Sequence, residues 1–113
     1  MMRGYDRDEA VRFISGRIVR KQHPELADRL EELIGAIIDA DMAYMHEAGV
    51  LDGDGSAGDM YYEEDDAIEY IVEHLAAEQS LTPEQAVKLA SLVDDYLDYQ
   101  EEYLESKGLV EWE

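Results

Sequence analysis

The sequence predicts an all-α fold, a single four-helix bundle. Three observations lead there. Apolar residues recur every three or four positions along four stretches, no stretch alternates with the period of a strand, and both prolines stand where a helix would begin. The chain has 113 residues, 46% of them hydrophobic, which is enough for one core and too little for two. The expected organisation is one helical domain over 1–113, with 109–113 as a docking tail.

The first helix is expected over about 7–22, opened by Asp6 and Glu9 at capping-box spacing. Ala10, Val11, Ile14 and Ile18 share its apolar face, with Phe13 at the margin. Pro24 disfavours helical geometry at His23 and suits the first turn of a second helix, about 24–48. Leu26, Leu30, Leu33, Ile37, Ala40 and Tyr44 step by threes and fours along it, and Ile34, Ile38 and Met45 widen the stripe. This is the strongest helical signal in the chain and marks the central helix. Gly49 is its C-cap candidate, and the glycine- and aspartate-rich run from Asp52 to Asp59 reads as a loop. A third helix is expected over about 60–79, with Tyr61, Ile68, Ile71, Val72 and Leu75 inward. Thr82-Pro83-Glu84-Gln85 is a complete helix start, and the fourth helix follows over about 83–106. Ala86, Ala90, Val93, Leu97 and Leu104 form one stripe of it, and Leu89, Leu92, Tyr96, Tyr99 and Tyr103 form a second. Lys107-Gly108 stops it.

Charge bounds the function. The chain holds 29 acidic residues against 9 basic ones, a net charge of −20. Residues 1–29 are net basic at +2, and residues 30–113 carry −22, with Lys88 and Lys107 as their only cations. Phosphates would repel such a surface, so direct nucleic-acid binding is excluded, and an anionic membrane is disfavoured for the same reason. No cysteine is present, which removes disulfides, thiol nucleophiles and thiolate metal sites. With a charged N-terminus and no long apolar run, a cytoplasmic location is expected.

Several constellations invite chemistry. Asp52, Asp54, Ser56 and Glu63 fall at positions 1, 3, 5 and 12 of a calcium-loop pattern, but Ala57 replaces the required glycine and Asp59 the usual apolar residue. No histidine pair has zinc spacing among His23, His46 and His74, which read as surface or boundary residues. Glu31-Glu32 lacks the third glutamate of an all-α nucleotide hydrolase, and there is no phosphate loop. No metal, cofactor or enzymatic activity is therefore expected. Asp41 lies inside the apolar stripe of the second helix, where a lone carboxylate is costly. It is expected to be a buried polar residue with a cationic or hydrogen-bonding partner, first of all an arginine of the first helix.

The strongest functional signal is acidic. Glu63, Glu64, Asp66, Glu69 and Glu73 on the third helix, with Asp94, Asp95, Asp98, Glu101, Glu102 and Glu105 on the fourth, are the expected partner-binding residues. Like charges stacked one turn apart weaken their own helix, so a sequence that keeps them invites a basic partner. Small size, helical pattern, absent cysteine and extreme acidity resemble the phage-encoded DNA-mimic inhibitors, including anti-CRISPR proteins, and the acidic helical immunity proteins that block nucleases. Gly58-Asp59-Met60-Tyr61-Tyr62 is similar to a segment of the second group. The resemblance implies a non-enzymatic inhibitor seated on a basic surface of a nucleic-acid-binding protein. The alternative is a structural or regulatory helix bundle, as a homodimer in one version, whose acidity serves solubility or salt tolerance.

Overall fold

In a computed structural model the described residues are 4–24, 26–50 and 62–108. Among them stand four α-helices and no strand: α1 (Arg7–Arg17), α2 (Leu30–Glu47), α3 (Glu64–Glu78) and α4 (Pro83–Ser106). Each helix packs on its neighbours in sequence, and α1 closes the ring against α4. Arg29 at the start of α2 meets Gln79 just past α3, while Tyr44 near the end of α2 meets Tyr62 just before it. Tyr5, just before α1, bonds Gln100 late in α4. Successive helices are thus antiparallel, giving an up-down-up-down four-helix bundle.

The core follows the apolar stripes. Ile34, Ile37 and Ile38 of α2 are fully buried, as are Ile14 of α1, Ile71 of α3, and Leu92, Val93 and Tyr96 of α4. The buried set of α4 runs from Leu89 to Leu104 and draws on both expected stripes, including Tyr96 and Tyr103, while Ala86, Ala90 and Tyr99 are only half-buried and Gln100, in neither stripe, is buried. The same helix starts and ends as expected, at Pro83 and Ser106. Thr82 accepts from the Gln85 backbone and the Gln85 side chain accepts from the Thr82 backbone, a complete capping box. The connection from α3 is four residues long, 79–82, and Ser80 takes the left-handed conformation there, φ 54°.

Three helix bounds differ from expectation, each for a local reason. The first helix stops at Arg17, not near 22, because Ile18 turns extended (ψ 132°) and still buries its side chain. A 3₁₀ turn, Arg20–Gln22, follows. The second opens late. Pro24 sits in a turn rather than a helix, a 3₁₀ turn covers Ala27–Arg29, and α2 begins at Leu30. The third begins at Glu64, because Glu63 is extended (ψ 105°) and the Tyr62 hydroxyl is drawn inward. The candidate calcium loop and the tail 109–113 lie outside the described residues.

Candidate functional site

Asp41 is buried in the middle of α2, at 1% exposure. Tyr62 donates its hydroxyl to Oδ1 at 2.5 Å, and Tyr96 donates to Oδ2 at 2.7 Å. The Gln100 side chain also acts on the carboxylate, while its Nε2 reaches no partner at full hydrogen-bond geometry. Gln100 Oε1 in turn accepts from Tyr5 at 2.7 Å. One carboxylate therefore ties α2 to α4, to the residue ahead of α3 and, through Gln100, to the residue ahead of α1. Burial pushes the Asp41 carboxyl up to about 6, against the pull of its hydrogen bonds. Burial and the Asp41 charge push the Tyr62 and Tyr96 hydroxyls up as well, so both stay protonated donors.

The expected arginine partner is a correction. Arg7 of α1 pairs instead with Asp39, at 2.8 and 3.0 Å, on the exposed flank of α2. A second buried ion would have to be desolvated too, whereas a tyrosine brings a neutral donor on an apolar ring.

The acidic residues divide into four situations. On α3, Asp66, Glu69 and Glu73 are exposed, and Glu69 and Glu73 each stand two residues from buried Ile71, so they face away from the core. Asp65, outside the expected set, is exposed one turn before Glu69 and belongs with them. On α4, Asp94, Asp98, Glu102 and Glu105 are exposed. At the seam, Glu101 is half-buried, and its carboxyl is pushed up by that burial and then by the charges of Glu105, Glu64 and Asp98. Glu64 of α3 thus joins the acidic row of α4, and Glu63 precedes it on exposed, extended backbone.

Asp95 is in a different situation. Its Oδ2 lies 2.6 Å from Nε2 of His23, a residue 5% exposed in the turn between α1 and α2. His23 is therefore a core residue and not a surface one, while His46 and His74 are exposed. No local signal marks this pair, because its members stand 72 residues apart. The two lysines within 62–108 point elsewhere: Lys107 pairs with Glu9 of α1, and Lys88 with Glu84. Among the described residues no group of three or more histidines, aspartates or glutamates could hold a metal ion. Among the described residues no helix is long and apolar enough to cross a membrane.

Comparison with family models, with curated proteins and with solved structures finds no match. The chemistry of this surface is read from its own residues.

Proposed function

We propose that this chain is a non-enzymatic acidic helical protein that binds a basic surface of a nucleic-acid-binding protein and blocks it, as DNA-mimic inhibitors of the anti-CRISPR kind do. One observation carries the reading: Glu64, Asp98, Glu101 and Glu105 converge at the α3–α4 seam, and both lysines of this half bind other glutamates. Asp94, Asp98, Glu101 or Glu102, and Glu105 repeat at close to one helical turn, about 5.4 Å. A row of negative charge at that spacing offers a basic groove what a phosphate backbone offers it. A partner's arginines and lysines would relieve the like-charge cost and speed encounter through long-range attraction.

The test is affinity capture on the immobilised protein from host lysate, followed by charge reversal. Retained basic nucleic-acid-binding proteins should elute with salt and be displaced by added DNA or RNA. The variant carrying Asp98→Lys, Glu101→Lys and Glu105→Lys should retain none of them while keeping its helical spectrum. Asp95 is left native in that variant because it holds His23. Undiminished retention by the variant, or a partner that binds nucleic acid and this protein together, would replace this reading with one in which acidity serves solubility.

A further inference from the structure

We propose that the groove between the α1–α2 connection and the first turns of α4 receives residues 109–113 of a second copy of this chain. The groove has a volume of about 330 Å³ and includes His23, Pro24, Leu26, Val87 and Lys88 in its wall. Past Leu26 and Lys88 it continues into a smaller hollow of about 100 Å³, with Leu33, Leu81 and Arg29.

Its surface is mostly apolar, with Gln22, Lys88 and Ser91 among the residues that line it. Among the described residues, Val19 and Val87 are the large apolar side chains left exposed, at 48% and 72%. Val87 stands on the wall of the groove, and Val19 lies in the same connection as His23 and Pro24. The incoming segment, Leu109-Val110-Glu111-Trp112-Glu113, alternates apolar and acidic residues over its last four positions. An aromatic anchor of this kind needs a concave apolar seat.

Charge favours this seat over the acidic faces of α3 and α4. Arg29 and Lys88 stand on the rim, and Lys21 is exposed in the adjoining 3₁₀ turn. Among their partners are exposed carboxylates, Glu32 facing Arg29 at 3.3 Å and Glu84 facing Lys88 at 3.5 Å, and Arg29 also donates to Gln79 at 3.1 Å. Such surface pairs exchange at little cost. Elsewhere α3 and α4 present rows of exposed carboxylates, which repel Glu111 and Glu113.

Reach selects the copy. Lys107 binds Glu9 at the far end of the bundle. Nineteen helical positions separate it from Lys88, about 28 Å along α4. Even fully extended, the chain from Lys107 to Trp112 covers only about 18 Å. A copy falls short of its own Val87, but a neighbour does not, and reciprocal exchange closes a two-fold dimer. The surface used is distinct from the acidic face of the proposed function, so either reading can fail without the other.

Trp112 is the single tryptophan of the chain, so its fluorescence reports the segment alone. With the full-length protein, its emission should shift to the blue and resist acrylamide quenching as concentration rises, in step with dimer formation by sedimentation. Val87→Glu should abolish the shift and weaken association about 30-fold, the factor lost with an aromatic anchor, with an unchanged helical spectrum. Trp112→Ala should weaken association equally. Mixing the two variants supplies one intact tail and one intact groove on different chains, so the blue shift should return in the mixture. Emission independent of concentration would overturn the proposal, as would association insensitive to Val87→Glu or a mixture that stays unshifted. A Val87→Glu chain that misfolds would show in its spectrum, and Val87→Ser, with a milder loss of the shift, then serves in its place.

Discussion

Asp41 and Glu101 are both carboxyls held above their ordinary range, and they are held there by different surroundings. Asp41 is raised by burial, and the fold answers with two tyrosine hydroxyls aimed at its two oxygens. Glu101 is raised by partial burial and then by three like charges, with both lysines of its half engaged elsewhere. Burial leaves no choice, because an unpartnered ion in the core costs several kcal/mol. At the surface water tolerates the crowding, so a sequence can keep it for a partner. The difference separates carboxylates that hold the bundle together from carboxylates that burden it.

That comparison can be broken in several places. The largest effect should come from the core around Asp41. Ile37→Ala should cost about 2–5 kcal/mol in denaturant unfolding, as buried large-to-small changes do. A loss below half that range would mean that α2 is not the central helix.

Next is pH. Asp41 titrates at about 6 in the folded chain against an ordinary value of 3.8. The folded state therefore binds the extra proton between those values, so this group favours folding most below pH 3.8 and loses that contribution as pH rises through 6. The loss is about 3 kcal/mol at 1.36 kcal/mol per unit. Asp41→Asn should remove this part of the slope between pH 4 and 6 in thermal melts and be at least as stable as the native chain at pH 7. An Asp41→Asn profile parallel to the native one would show that the slope belongs to the surface carboxylates. Tyr96→Phe, which strips one donor from the ion, should cost about 1–3 kcal/mol at pH 7 and distinctly less at pH 4. Equal losses at both values would mean that the hydroxyl serves packing alone.

On the face the sign reverses. Asp98→Lys, Glu101→Lys and Glu105→Lys together should raise stability by about 1 kcal/mol at low salt, a few tenths for each like-charge pair relieved. The gain should shrink as salt screens it. A destabilised variant would place these residues among the structural carboxylates. The smallest effect belongs to Gly35→Ala. The added methyl would stand 2.8 Å from the Arg7 guanidinium, the mobile end of a long side chain. Displacing Arg7 from Asp39 should cost less than about 1 kcal/mol, the worth of a surface bridge.

The sequence is most informative where a structural cause is local. Thr82-Pro83-Glu84-Gln85 contains every part of the α4 start, and the fourth helix is accordingly bounded as expected. Ile18 is less informative, since an apolar residue buries equally well from a helix or from the extended turn it adopts. Periodicity alone therefore carried the first helix too far. Tyr62 hides the start of α3 for a related reason: its inward turn depends on a carboxylate 21 residues away. The need for a donor at Asp41 was legible, and its identity was not, because charge complementarity favours arginine while the desolvation balance favours tyrosine. Asp95 read as a surface acid because its histidine stands on another element.

The short 79–82 connection also sets an order of events. Its capping box is complete within four residues, so the hairpin of α3 and α4 closes the smallest loop in the bundle and nucleates ahead of pairings that span longer stretches of chain. The same hairpin brings the charges of Glu64 and Glu101 near each other at the end away from the 79–82 connection, so repulsion opposes the last turns of its zippering. Counter-ions lower that barrier: stopped-flow refolding should quicken with added salt, and a rate that ignores ionic strength would place the first committed contacts between α1 and α2 instead.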